Sequence, residues 1–308
     1  LSAKAFSPAG ISSFFEICDT RKDGKPVSEP TLIGARGGGF VIEKGVLTQV
    51  QLSEAKQNVT RVFINGKLAP EAETTRTVVR SLGEKVGRSY AITIRHKVEI
   101  PIGAGFGSSA AGALGTALAL SKALHLHLTY NELGKIAHTA EIKCRTGLGT
   151  VGPIMLGGCA LTVEPGAPGI ATIDRIPTST NHVIVAAIYG PIPTKTVLSS
   201  PQKRLAVNKW GGIALENILA DPSLENFLAC CLDFAEKTGF MTNRLRELVK
   251  LAKKADAIGV AQNMVGEAVH ALTTLENADN VVQAFKQVLP EEKILVAKID
   301  VQGARLVG

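Results

Sequence analysis

Residues 101–120 read PIGAGFGSSAAGALGTALAL. Gly103, Gly105 and Gly107 alternate and give way to Ser108 and Ser109. An Ala-rich run follows, with Leu114 and Leu118 four apart, the spacing of one helix face. Just before the glycines, Tyr90 to Ile100 (YAITIRHKVEI) carries Ile92, Ile94, Val98 and Ile100 and reads as a strand. The order is strand, glycine loop, helix. Glycine takes positive φ and lets backbone N–H groups approach a ligand closely. The first N–H groups of a helix have no partner in the chain, and its dipole adds positive character. Such a loop suits a phosphate. It is neither of the commonest phosphate motifs. Ser108 replaces the third glycine of G-x-G-x-x-G, and no lysine follows Gly107 as in G-x-x-x-x-G-K-[ST]. A bare G-x-G-x-G is also compatible with a strand–helix turn that binds nothing.

The chain has 308 residues, 45% hydrophobic and 20% charged, enough for one large domain or two joined ones. No apolar run is long enough to span a bilayer, and no signal-peptide pattern opens the sequence, so a cytoplasmic protein without membrane contact is expected. The five cysteines (Cys18, Cys144, Cys159, Cys230 and Cys231) form no C-x-x-C pair and read as reduced thiols. His125 and His127 are two apart and would not share a helix face, so a helix end is expected there, not a metal site. The net charge of +7 is spread along the chain without a basic tail or aromatic clusters. It fits small anions such as ATP, and no nucleic-acid partner is expected.

Ala3 to Asp19 reads as a strand broken by Pro8 and Gly10, and Lys22-Asp23-Gly24 as a turn. Arg36 followed by Gly37, Gly38 and Gly39 reads as a substrate-side loop or a hairpin bend. Val41–Val50 and Val59–Asn65 read as strands, the second ending in an Asn65-Gly66 turn. Glu71 to Val86 reads as a helix with Val78, Val79 and Leu82 on one face. Beyond the loop helix, Thr129-x-x-Glu132 is a capping box opening a helix from Tyr130 to Lys143. His138 and Glu141 share a face of that helix, which ends in a glycine-containing turn, Arg145 to Thr150. A strand is expected at Cys159–Val163. The Pro/Gly run 165–169 suggests a joint between one part, 1–170, which carries the glycine loop, and a second part, 171–308. Val183–Ile188 reads as a buried strand, helical patterns dominate Lys209–Val288, and Ile294–Ile299 and Arg305–Val307 read as closing strands.

The string P-x-G-A-G-x-G-S-S-A-A resembles the phosphate loop of the GHMP kinases. AHTAE (Ala137–Glu141), TGLG with Val151 after Thr150, GG…PGAPG (Gly157–Gly169), SPAGISSFFEICD near the start and VQGAR near the end resemble the archaeal pantoate kinase branch of that family. The resemblance implies a two-lobed α/β (α+β) fold, with a ribosomal-protein-like N-terminal lobe and a ferredoxin-like C-terminal lobe. It implies ATP on Pro101, Gly103, Ala104, Gly105, Phe106, Gly107, Ser108, Ser109 and Ala110, and Mg²⁺ on Ser109 and Glu141. Substrate contacts are expected from Arg36, Gly37, Gly38, His138, Thr194 and Arg305, and a homodimer is compatible with the family.

The branch leads one to expect an aspartate where Thr150 stands, an arginine at Thr162 and a serine at Ala35. Thr150, at the position of the general base, cannot act as a carboxylate base. Loose phosphoryl transfer tolerates this, because the alcohol proton can leave late. The carboxylate of the acceptor could fall to Arg36, Arg145 or Arg305. The expected reaction is transfer of the γ-phosphate of ATP to a primary hydroxyl of a small branched hydroxy acid. Pantoate, giving 4-phosphopantoate for coenzyme A biosynthesis, leads, and mevalonate 3-phosphate follows. An ATP-binding regulator without catalysis is the reading from another class.

Overall fold

The computed structural model describes residues 1–21, 23–192 and 200–308. Thr194, the rest of 193–199, and Lys22 of the expected turn lie outside the described residues. The frame is a long antiparallel pair, β1 (Ser2–Cys18) and β2 (Gly34–Glu54), in register from Ser2↔Gln51 to Cys18↔Gly34. The break expected at Pro8 and Gly10 is a bulge instead. The register slips between Pro8 and Ala9 and again between Ser12 and Phe14, and the strand continues through both. A bulge is where a sheet tolerates the missing N–H of proline.

Gly37, Gly38 and Gly39 correct a second expectation. They form neither a loop nor a hairpin bend but lie inside β2, between β1 and β6 (Cys159–Glu164). A Cβ on Gly39 would sit 1.7 Å from the carbonyl oxygen of Ile11, and one on Gly37 2.4 Å from that of Phe14. The bulged stretch of β1 presses its backbone onto β2, and only glycine fits beneath it.

The second half of β2 pairs with β5 (Tyr90–Val98), which runs parallel to β3 (Val59–Ile64), the two being joined through β4 (Lys67–Leu68) and α1 (Glu73–Gly83). Asn65 and Gly66, both at positive φ, make the expected turn into β4. The sheet runs β12-β1-β2-β5-β3-β4, with β6 and β7 (Thr172–Ile176) branching from β2 and β12 (Arg305–Val307) returning from the chain end. Helices α2 (Ser108–Ala123), α3 (Tyr130–Cys144) and α4 (Val151–Leu156) complete this lobe. β7, just beyond residue 170, still pairs with β6 in the first sheet.

The second sheet comprises β8 (His182–Pro191), β9 (Gly259–Gln262), β10 (Gly266–Thr274) and β11 (Ile294–Lys298), ordered β11-β8-β10-β9 and antiparallel throughout. Taken in chain order its strands read 4-1-3-2, the ferredoxin-like arrangement. Helices α5 (Pro201–Ala220), α6 (Leu224–Lys237), α7 (Asn243–Lys254) and α8 (Ala278–Lys286) pack on it. Helices dominate 209–288 as expected, with β9 and β10 set between them. The apolar runs of these two strands are short, and a short apolar run suits a buried strand as well as a helix.

Two apolar clusters result. One holds α1–α3 against Val50, Ile92 and Ile94. The other holds α5–α8 against the second sheet and also takes in Ile11, Phe14, Ile17 and Phe40 of the first. β1 thus has Ala5 in one core and Phe14 in the other. Phe14 packs edge-on against Phe227 and Phe234 of α6.

Candidate active site

The segment between β5 and α2 forms the expected strand–loop–helix. Gly103, Gly105 and Gly107 have φ of 80°, 81° and 63°, where side chains with a Cβ are strained. Each also abuts a different part of the molecule. A Cβ would meet Pro191 at Gly103, Asn263 and the carbonyl of Met264 at Gly105, and Thr150 and the carbonyl of Gly10 at Gly107. Ala104 and Phe106 alternate with the glycines and are buried, pegging the loop to the core. Gly107 is the N-cap of α2 and has no side chain to satisfy the first N–H groups. Those groups are left for an anion.

Below the loop, a hydrogen-bonded chain ties the lobes together. His270 Nδ1 donates to Asn263 Oδ1 at 2.9 Å, and its Nε2 accepts from Ser13 Oγ at 2.9 Å. Burial holds this imidazole neutral, its pKa pushed down to about 3. Met264 N donates to the carbonyl of Ser12 at 2.7 Å, so the β9–β10 turn beneath Gly105 is fastened to β1.

The first turn of α2 brings Ser109 to α3, whose capping box forms as read from Thr129 and Glu132. Ser109 Oγ donates to Glu141 Oε1 at 2.5 Å, and Thr146 Oγ1 donates to the same oxygen at 2.6 Å. A Cβ on Gly147 would fall 2.1 Å from Glu141 Oε2, so the glycine after Thr146 makes room for the carboxylate. Burial pushes the Glu141 pKa up, opposed by the hydrogen bonds from Ser109 and Thr146. Thr74 of α1 adds a third hydroxyl, 3.0 Å from Thr146 Oγ1 and 3.4 Å from Ser109 Oγ. The sequence reading missed Thr74 and Thr146 as site residues. The signal was there for Thr74, which extends the buried face Val78, Val79 and Leu82 to the helix start.

Thr150 is the N-cap of α4, and its methyl lies over Gly107 and Gly10. It therefore stands beside the glycine loop. Ala35 faces Gly149, and Thr162 is buried opposite Gly37. His138 Nε2 donates to the carbonyl of Ile33 at 2.8 Å; the side chain is buried, and burial lowers its pKa. That bond anchors the approach to β2. Arg36 is half-buried and ion-paired with Glu16, with Nε 2.8 Å from Oε2. Arg305 binds Asp300 Oδ2 at 2.9 Å and lies over the ring of Phe6. Arg145 caps the C-terminus of α3 at positive φ and is exposed. The structure thus gathers Ser109, Glu141 and Thr150 around the loop, whereas Arg36, His138 and Arg305 have partners of their own. His125, at positive φ just past α2, marks the expected helix end. Among the described residues no group of three or more His, Cys, Asp or Glu could hold a metal, and no helix is long and apolar enough to cross a membrane.

The chain is similar to known proteins over most of its length. Residues 73–158, from α1 through the loop, α2, α3 and α4, match the GHMP kinases N terminal domain. Over 91% of this chain and 90% of the relative, it is 33% identical to a pantoate kinase of Thermococcus kodakarensis. It is 27% identical to a pantoate kinase of Methanocaldococcus jannaschii, over 91% and 96% of the two chains. A solved phosphotransferase related to the CoA biosynthesis pathway superposes with a TM-score of 0.87 at 29% identity, covering 100% of this chain and 99% of the other. With the glycine loop at the head of α2 and the Ser109–Glu141 contact beside it, the chain belongs to the GHMP kinases and is a phosphotransferase that acts on a hydroxyl group.

Proposed function

We propose that the chain transfers the γ-phosphate of ATP to the primary hydroxyl of pantoate, giving 4-phosphopantoate and ADP. The observation that carries this reading is the contact of Ser109 with the buried Glu141 at the N-terminus of α2, in a chain similar to pantoate kinases over nine-tenths of its length. In this reading the N–H groups from Gly103 to Ser109 take the β- and γ-phosphates. Ser109 and Glu141 would hold Mg²⁺. They are hard oxygen donors already in contact, and Mg²⁺ takes one or two protein oxygens beside phosphates and water. When bound, the ion supplies neutralisation of phosphate charge.

Thr150 offers no carboxylate to the attacking hydroxyl. The O–P bond to the acceptor forms as the bond to ADP breaks, and the proton leaves late, to the transferred phosphate or to solvent. Arg145 is the arginine we assign to the pantoate carboxylate. It sits at the end of α3, four residues from Glu141, while Arg36 and Arg305 already face Glu16 and Asp300. The protein would work in the cytoplasm on a small molecule, as a monomer or homodimer.

The test is ADP release with pantoate, mevalonate, mevalonate 3-phosphate, homoserine and shikimate at matched concentration. Pantoate is expected to give the highest kcat/KM. A preference for mevalonate 3-phosphate would move the reading to the runner-up acceptor, and ADP formation independent of any acceptor would favour the regulator.

A further inference from the structure

Four side chains from three helices and one turn close a ring around one oxygen. Ser109 and Thr146 both donate to Glu141 Oε1, at 2.5 and 2.6 Å. Each hydroxyl has one proton, so both protons are committed to the carboxylate. Thr74 Oγ1, 3.0 Å from Thr146 Oγ1, must then be the donor of that pair. Its lone pairs are left facing Ser109 Oγ, 3.4 Å away, at the outer limit of a hydrogen bond.

We propose that Thr74 is a positioning residue of the metal–nucleotide site, the acceptor to which the Ser109 hydroxyl turns when Ser109 and Glu141 become ligands. This rests on the reading of Ser109 and Glu141 as the Mg²⁺ residues. A hydroxyl that serves as a neutral ligand keeps its proton, and Ser109 would lose Glu141 Oε1 as acceptor once that oxygen is given to the cation. Without another acceptor it would sit partly buried with an unmade hydrogen bond. Thr74 Oγ1 is the hydroxyl within reach. It fixes the Ser109 rotamer with a lone pair toward the site and needs no movement of α1.

The neighbouring threonine separates this role from simple packing. Thr75 is equally buried, but its Oγ1 lies 3.1 Å from His96 Nε2, and His96 Nδ1 lies 2.9 Å from Thr48 Oγ1 beneath α2. Thr74 serves the site and Thr75 serves the core. The two sit side by side on one helix turn, with opposite expectations on substitution.

The test measures Mn²⁺ affinity of the full-length protein saturated with ADP, by electron paramagnetic resonance, alongside the urea midpoint of the ligand-free protein. Thr74→Val should weaken Mn²⁺ about 3- to 10-fold, the worth of one hydrogen bond, and Thr74→Ser should stay within about twofold of the wild type. Thr75→Val should lower the urea midpoint and leave Mn²⁺ affinity unchanged. In a Ser109→Ala background, Thr74→Val should add nothing, because the partner is gone. Thr74→Ala serves if the valine is not accommodated. Mn²⁺ affinity unaltered in Thr74→Val (or in Thr74→Ala, where it replaces the valine), or a full further loss in the Ser109→Ala background, would overturn the role of Thr74 and leave the metal reading standing. Mn²⁺ affinity unaltered in Glu141→Gln would overturn the metal reading and this inference with it.

Discussion

Replacing Gly107 with alanine tests the seat of the phosphate loop, because its cost separates into two parts. The first is conformational. At φ 63° an alanine sits in the left-handed region, which costs about 1–2 kcal/mol. The second is steric. The new Cβ would lie 2.7 Å from the Thr150 methyl and 3.1 Å from the carbonyl of Gly10, and overpacking of this kind costs about 1–3 kcal/mol. Gly107→Ala should therefore destabilise the ligand-free protein by about 2–5 kcal/mol and raise the KM for ATP. Thr150→Ser removes the methyl that the alanine meets and by itself costs about 1 kcal/mol, the worth of one buried methyl. The double variant should recover most of the steric part and none of the conformational part. The assay is urea unfolding of the four members of the cycle, with the coupling taken from the midpoints. A coupling of about 1–2 kcal/mol in favour of the double variant is expected. Strict additivity would refute the placement of Thr150 against the loop, and with it the view that this residue stands where an attacking hydroxyl would meet the γ-phosphate.

Stability should fall on acidification through His270 and His96, whose pKa values burial lowers to about 3 and about 4. Between those values and about 6.5 the unfolded chain holds the extra protons, so stability is lost as pH drops, by about 1.4 kcal/mol per pH unit for each imidazole. His270→Asn should flatten the measured slope between pH 6 and 5 by close to one proton; an unaltered slope would mean that His270 is not held neutral. Arg145→Gln should raise the KM for pantoate about tenfold or more and leave the KM for ATP within about twofold, as expected for a lost charge-assisted contact. Equal effects on both substrates would remove Arg145 from the acceptor side. Thr150→Asp should fold, since Thr150 is only partly buried and its hydroxyl makes no capping hydrogen bond that would be lost. It should sustain or raise turnover on pantoate, while an acceptor bearing its own phosphate would be repelled, and a selective gain on mevalonate 3-phosphate would contradict the pantoate reading.

The glycine loop was legible because its information is local. Three alternating glycines after an apolar strand and before an Ala-rich run leave few alternatives, and the structure has positive φ at all three. The capping box of α3 was legible for the same reason. Contacts distant in sequence were not. Ser109 and Glu141 are 32 residues apart, and only the family resemblance, not their spacing, pointed to their meeting. The Ser13–His270 bond spans 257 positions, and an isolated histidine in an apolar strand announces nothing about its partner. Gly37–Gly39 were misread because glycine in a loop and glycine under a bulge look alike in sequence. What decides between them is the backbone of Ile11 and Phe14, on another strand. The β9–β10 hairpin was not picked out within the mainly helical stretch, because four or five apolar residues carry too little periodicity to choose between strand and helix.

Because β1 contributes Ala5 to one core and Phe14 to the other, the halves of the molecule share a load-carrying element. A pair of domains on a flexible joint could part around a ligand. Here the second half is fixed directly to β1, through Phe14 against Phe227 and Phe234 and through the Met264 N–H on the Ser12 carbonyl, and parting would strip that buried contact. The protein should melt in one transition, and a protease should not release either half intact. Damage to the second core should be felt at the phosphate loop, because the turn at Asn263 and Met264 that supports Gly105 is bolted to the same strand.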